Sequence, residues 1–397
     1  MKSIRELYKI GRGPSSSHTM GPEKACIAFK KRYPAEHYRV ILYGSLSLTG
    51  KGHLTDQIIK ETLVNVDVVF SSDFIDVHPN TMDLIAYNGQ TEVGRARVYS
   101  IGGGTIRFEG QTYEETIDVY PHSSFDEIKT YCEAENIRLY EYVERFEGKD
   151  IYAFLKTVWD AMEASIENGL SQVGTLPGEL EVKRKARHLF INQKENEPRE
   201  IHESRLVSAY AFAVNETNAS GGTVVTAPTC GASGTVPAVL KYMQGRHKFK
   251  TDHILKALAT ASVIGNIIKH NASISGAEAG CQAEVGSACS MAAAAHAELF
   301  KLTLDQIEYA AEIALEHHLG LTCDPVLGYV QIPCIERNAV AALRAIDACG
   351  LAYFLSDSRK ISFDVVVETM FETGKDMPAN YRETSCGGLA LKYRFNK

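Results

Sequence analysis

Nine cysteines stand at positions 26, 132, 230, 281, 289, 323, 334, 349 and 386, and their neighbours divide them. Cys26, Cys132, Cys289 and Cys349 sit within amphipathic helical stretches, where a cysteine behaves as a small buried hydrophobe. The other five lie beside Gly, Pro, Asp, Ser or Thr. Cys281 follows Ala279-Gly280 at an expected helix start. Cys323 lies in LTCDPV, after a helix ending near His318, and Cys334 follows Pro333 in QIPCIERNA, just before the next helix. Thiols at helix termini meet amide donors and a positive dipole end, which favour the thiolate. Three thiolates suit a [4Fe–4S] cluster whose remaining iron is open to substrate oxygen, a Lewis-acid arrangement rather than an electron-transfer one. Buried cysteines near loops would leave the same pattern, and the known cluster runs are more tightly spaced. No CxxC pair occurs, and an odd count in a long chain argues against a disulfide framework.

The proton-transfer candidates are histidines in polar loops. His53 lies in TGKGHLTD beside Lys51, Gly52, Thr55 and Asp56, a better setting for catalysis than His317 or His318 at a helix end. A cationic Lys51 would depress the imidazole pKa and keep it in the neutral form that a base needs. His18 follows Ser15, Ser16 and Ser17 and precedes Thr19 in GPSSSHTMGP; helix capping accounts for one of those hydroxyls but hardly for all. In SIGGGT, Ser100 and the run Gly102, Gly103, Gly104 read either as a nest for a carboxylate or phosphate or as a glycine-rich turn. Neither a dinucleotide fingerprint nor a Walker lysine accompanies them. The stretch from Ala219 to Val239, with Thr229, Cys230 and Gly231 at its centre, is too rich in Gly, Ser, Thr and Pro for one long helix. It suits a backbone-exposing loop that recognises carboxylate.

These residues need two kinds of support. The first part of the chain alternates like strands over 39–46, 64–70, 82–87 and 93–100, with a helix over 23–32 and a short strand over 105–108. A polar stretch from about 110 to 124, with Pro121, reads as a linker. From Phe125 onward the periodicity is helical almost throughout, notably over 151–170, 182–190, 202–215, 252–269, 283–300, 304–318 and 336–355. The Ala- and Ser-rich segment 283–297 has no polar face and should be a buried, closely packed helix. The expected fold is a small α+β N-terminal domain, residues 1–118, followed by a larger, predominantly all-α domain, residues 119–397. The 397 residues are 45% hydrophobic and 23% charged with a net charge of -7, which excludes global disorder and lacks the basic footprint of a nucleic-acid binder. No apolar run approaches the roughly 18 residues of a membrane span. The start shows no secretory h-region, so a cytoplasmic protein is expected.

The motifs GPSSSHTMGP, YGSLSLTGKGHLTD, SIGGGT, TAPTCGASGTVPAV, SGAEAGCQAEVGSACSMAAAA, GLTCDPVLGYVQIPCIERNA and RETSCGGLA together resemble the iron–sulfur-dependent bacterial L-serine dehydratases (L-serine ammonia-lyases) in their single-chain form. The resemblance spans almost the whole chain. It implies Cys281, Cys323 and Cys334 as ligands of a [4Fe–4S] cluster. It puts His53 and Thr55 near the substrate, with Ser100 to Gly104 and Thr229 to Gly231 as facing loops. The implied substrate is L-serine, the products are pyruvate and ammonia, and the expected assembly is a homodimer without nucleic-acid or membrane partners. The base would be His53, with His18 second, and the hydroxyls of Ser15 to Ser17 with the glycine-loop amides would hold the carboxylate. Two departures stand out: Cys230 occupies a position that is Asn in many relatives, and Cys386 is not a usual family cysteine. No ACT-type regulatory domain is visible. The alternatives are a pyridoxal-phosphate-dependent dehydratase, for which no lysine stands in a suitable context, and an amino-acid sensor with a vestigial cluster.

Overall fold

The computed structural model describes residues 1–73, 77–110 and 117–395. A five-stranded sheet of order β3-β2-β4-β5-β6 is built from β2 (His37–Leu42), β3 (Val66–Phe70), β4 (Thr81–Asn88), β5 (Thr91–Ser100) and β6 (Ile106–Phe108). β2 and β3 run parallel and the other neighbours antiparallel. Alternation along β2 buries Tyr38, Val40 and Leu42 and turns Arg39 outward. These residues meet Phe29 from the helix Gly21–Arg32 and Ile59 from the helix Thr55–Leu63, forming a small core of their own.

The strand expected over 39–46 stops at Leu42. Gly44 has φ +54°, which glycine adopts without strain, and the Ser45 amide then donates to the Pro79 carbonyl at 2.8 Å. Residues Gly44–Thr49 are therefore helical. The helix Thr55–Leu63 was not anticipated, although it buries Ile58, Ile59 and Leu63. The helix expected over 182–190 covers only Ala186–Ile191. Its first residues are instead pulled into extended pairing, with the Leu176 amide donating to Val182 O and Arg184 N to Gly174 O. Of the expected linker, residues 111–116 lie outside the described residues.

The second unit is helical, as expected. Its long helices are Ile151–Ser171, Arg199–Ala219, Thr235–His247, Thr251–Asn271, Ser287–Leu299, Leu304–Glu316 and Cys334–Leu355. All thirteen residues of Ser287–Leu299 are buried, because its alanines let neighbouring helices approach on every side. The large core also takes in the start of the chain. Ile4, Leu7 and Tyr8 are buried in it, and β1 (Ile10–Arg12) pairs antiparallel with β7 (Thr223–Val225). The first twelve residues thus strap the helical unit before the chain enters the sheet unit. Among the described residues one helix, Cys334–Ser358, is long and apolar enough to cross a membrane by length and composition. Its Ala341, Ala342, Ala345 and Ala348 are buried in the large core, while Leu351, Tyr353, Phe354 and Leu355 near its end are exposed.

Candidate active site

The two units meet at a narrow cavity lined by His53, Ser15, Gly231 and the three cysteines Cys281, Cys323 and Cys334, with Glu284 and Glu383 between them. Gly52 sets how closely they meet. A Cβ on it would stand 2.4 Å from the Gly328 carbonyl carbon and 2.8 Å from the Tyr329 amide nitrogen, both backbone atoms that cannot give way. Glycine at this position lets the loop lie flat on the helical unit and carries the next residue, His53, into the cavity.

The surroundings of His53 assign its tautomer. Its Nδ1 stands 2.9 Å from the Thr49 carbonyl oxygen. A carbonyl only accepts, so Nδ1 carries the proton and Nε2 presents its lone pair. Burial lowers the His53 pKa to about 4. The cause is desolvation and not a cationic neighbour: Lys51 is exposed, with Nζ 5.7 Å from the Phe70 ring centroid. The electropositive loop expected from the sequence is therefore not what keeps this imidazole neutral.

His18 stacks on His53 with ring centroids 4.4 Å apart, and both its nitrogens are engaged. Ser45 Oγ donates to the Glu383 carbonyl oxygen at 2.7 Å and so accepts from His18 Nε2 at 3.0 Å. That leaves His18 Nδ1 to accept from Ser17 Oγ at 2.9 Å. Burial, with His53 beside it, pushes the His18 pKa well down. Reciprocal hydroxyl bonds lock the two loops together: Thr19 Oγ1 donates to His53 O at 2.8 Å and Thr55 Oγ1 to His18 O at 2.6 Å. Ser100 Oγ reaches Ser17 O at 2.7 Å.

The facing side is built from thiols and carboxylates. Cys323 Sγ stands 4.0 Å from Glu284 Oε2, and the neighbouring Cys323 thiol, with Arg337, draws the Cys281 pKa down to about 6. The Cys323 thiol is correspondingly raised. Burial and the nearby Cys281 push Cys334 up as well. The three thiols are free, and Arg337 also donates to Thr322 O at 2.7 Å. Glu284 and Glu383 are both raised, first by burial. Glu383 Oε1 lies 3.7 Å from His18 Nδ1 and 3.6 Å from His53 Nε2, while its Oε2 is buried without a partner. His18, His53 and Glu383 present ligand atoms within 4.8 Å of one another, but His18 has no lone pair left to give. The cysteine side fits a metal centre better. A Cβ on Gly276 would stand 3.1 Å from Cys323 Sγ and 2.8 Å from Glu284 Oε2, so the chain leaves that space open. A half-buried cation, Arg337, offsets part of the negative charge that thiolates bring.

The remaining expected residues are distributed as follows. Ser15 lines the cavity, whereas Ser16 is buried in the π-helical turn Ser16–Met20. Gly102, Gly103 and Gly104 all have positive φ; Gly102 and Gly103 face Ser275 and Ile274 across the unit boundary, and Gly104 faces Met20. Thr229 and Gly231 flank Glu284. Cys230 is fully buried with Sγ 3.3 Å from Met20 Sδ and does not line the cavity. Cys386 is exposed. Sequence reasoning did not single out Ser45, Glu284, Arg337 or Glu383. Each lies inside a motif that carried the resemblance, but a lone carboxylate or hydroxyl there has no spacing signal of its own.

The serine dehydratase beta chain family matches residues 3–67 and the serine dehydratase alpha chain family residues 87–390. Among curated proteins, L-serine dehydratase 2 of Escherichia coli (strain K12) and the L-serine dehydratase of Haemophilus influenzae are each 42% identical over 99% of both chains. The L-serine dehydratase of Streptomyces coelicolor is 39% identical over 98% of both. The first alignment runs over 450 positions against 397 residues here, so that relative carries insertions this chain does without. With two family matches that together run from residue 3 to residue 390, this chain belongs to the serine dehydratase family, its beta-type and alpha-type parts joined in one polypeptide.

Proposed function

We propose that this protein is an L-serine ammonia-lyase that converts L-serine to pyruvate and ammonia at a [4Fe–4S] cluster held by Cys281, Cys323 and Cys334. The observation that carries this reading is that three free thiols and an imidazole with an unprotonated Nε2 line one cavity. When bound, such a cluster supplies a Lewis-acidic iron at the position no cysteine fills, polarising the hydroxyl that must leave.

The chain's own residues supply the rest. His53 Nε2 takes the α-proton, and its Nδ1–H bond to Thr49 O holds the ring in the basic tautomer throughout. His18 acts as a brace and not as the base, because Ser17 and Ser45 occupy both its nitrogens. Ser15 Oγ and the backbone at Gly231 line the space left for the carboxylate. Loss of water leaves aminoacrylate, which tautomerises and hydrolyses to pyruvate and ammonia. The pyridoxal-phosphate alternative finds no support, since among the described residues no lysine lines the cavity.

The test is anaerobic purification followed by iron and sulfide analysis, absorbance and a pyruvate assay with L-serine. Broad brown absorption and turnover that decays in air and returns with ferrous iron and reductant are expected. Air-stable turnover in metal-free protein, or a yellow pyridoxal band, would overturn the reading.

A further inference from the structure

Away from the cavity, three ammonium groups converge on one spot from three separate elements. Lys9 lies just before β1 on the N-terminal strap, Lys24 on the helix Gly21–Arg32 of the sheet unit, and Lys269 on the helix Thr251–Asn271 of the helical unit. Lys9 Nζ donates to Thr105 Oγ1 at 2.7 Å and Lys24 Nζ to Gly104 O at 2.9 Å, on consecutive residues of the glycine loop. Lys9 Nζ also pairs with Glu6 Oε2 at 3.2 Å, and Lys269 Nζ donates to Glu6 O at 2.8 Å. All three side chains are half-buried.

The charges do not balance. Among the described residues Glu6 is the one carboxylate in ion-pair contact with any of the three, and Glu23 acts on Lys24 from further off. Burial, opposed only in part by Glu6, lowers all three ammonium pKa values, that of Lys269 to about 8, and like charges lower Lys24 and Lys269 further. Each ammonium carries three donors, so these contacts leave several N–H groups unused. The amides of Gly103 and Gly104 also make no hydrogen bond to the described residues. These hydrogen bonds join the three elements but leave the mutual repulsion of the cations uncompensated. An oxyanion between them would neutralise the excess charge and use those donors.

We infer that Lys9, Lys24 and Lys269 form a binding site for a small oxyanion, a phosphate or carboxylate group, at the seam between the N-terminal strap, the sheet unit and the helical unit. Its occupant would clamp the glycine loop, whose Ser100 in turn holds the Ser17 carbonyl beside His18. The site is separate from the cavity and does not depend on the proposed chemistry.

The experiment is calorimetric titration and thermal melting of the whole chain with inorganic phosphate and, separately, acetate, at constant ionic strength made up with chloride. Wild-type protein should bind one of the two saturably and melt higher with it. Lys24→Met and Lys269→Met should each weaken that binding at least tenfold while melting no lower than wild type in chloride alone, because a repulsion has been removed. Lys24→Arg, which keeps the charge, should retain binding within about threefold and guards against loss through misfolding. Saturation by phosphate alone or by acetate alone identifies the ligand source. Absence of binding beyond the chloride control, or equal binding by wild type and both methionine variants, would overturn the inference.

Discussion

The two sides of the cavity are built on different principles. On the sheet side, three of the four imidazole nitrogens have defined partners and only His53 Nε2 is left free: Thr49 fixes the proton of His53, and Ser17 and Ser45 fix both nitrogens of His18. On the helical side, the Cys323 thiol has a long contact of 4.0 Å to Glu284 Oε2, Glu383 Oε2 has no partner, and Glu284 is buried beside the thiols. One side is preorganised by a backbone carbonyl and two serine hydroxyls, none of which changes protonation state near neutral pH. The other side gathers thiols and carboxylates whose protonation a bound cation would reset. Preorganised hydrogen bonds make a base ready without reorganisation, whereas a binding half keeps groups unpartnered until its ligand arrives.

The sharpest way to break this contrast is to remove a ligand from the unfinished side. Cys323→Ala should abolish serine turnover and iron retention together, while the far-ultraviolet dichroism of the helical unit is kept. Full iron content in this variant would remove Cys323 from the metal centre.

Removing the base from the finished side should behave differently. His53→Ala should lower kcat by about 10²–10⁴-fold, the usual loss for one acid–base group, with iron and absorbance unchanged. Loss of iron would instead make the histidine a ligand. In the wild type the acid limb of kcat/KM due to this group should lie near pH 4, where burial puts it, and not near 6.5. The same shift affects stability. The folded pKa is depressed, so the unfolded chain takes up the proton first, and stability falls as pH drops from about 6.5 toward 4. The slope should be about 1.4 kcal/mol per pH unit for this histidine. His53→Ala should flatten that part of the curve, and an unchanged slope would mean that other buried histidines such as His18 carry it.

Docking of the two sides can be loosened without touching either set of groups. Gly52→Ala would drive a methyl into the Gly328 backbone. Overpacking of this kind costs about 1–3 kcal/mol, and displacing His53 by about an ångström should lower kcat about a hundredfold. A crystal structure of the variant with His53 unmoved, or wild-type kcat, would show that the close approach is not needed.

Much of this was legible in the sequence and some was not, for physical reasons. Gly, Pro, Asp, Ser or Thr neighbours set Cys230, Cys281, Cys323, Cys334 and Cys386 apart from those on amphipathic helices, and the resemblance singled out Cys281, Cys323 and Cys334 among them. All four on the amphipathic stretches, Cys26, Cys132, Cys289 and Cys349, are buried as expected. Strands β3, β4 and β5 followed from alternation, and the alanine-rich helix from its lack of a polar face. The helix Gly44–Thr49 escaped because one positive-φ glycine ends the strand, and periodicity is blind to a single dihedral. β1 and β7 escaped because three-residue strands paired across some two hundred residues leave no local pattern. Glu383 and Ser45 escaped because their roles exist only once two distant segments meet.

The smallest expected effect bears on the cause of His53's basicity. Sequence reasoning made Lys51 the agent, since a cation two residues away can depress an imidazole pKa through space. In the folded chain Lys51 is exposed, its Nζ lies over the Phe70 ring, and burial accounts for the shift. An exposed charge is screened by water and salt, and its influence on a buried group behind the loop is small. Lys51→Met should therefore leave kcat within about twofold and the acid limb of kcat/KM where it is, at both low and high salt. Its cation–π contact is also an exposed one, worth about 0.5–1 kcal/mol at most, so the melting temperature should move little. A tenfold fall in kcat, or an acid limb that climbs toward pH 6.5, would return the tuning of His53 to Lys51. The sheet side would then be held ready by a surface charge, sensitive to salt, and not by the backbone carbonyl and the dry pocket that enclose the imidazole.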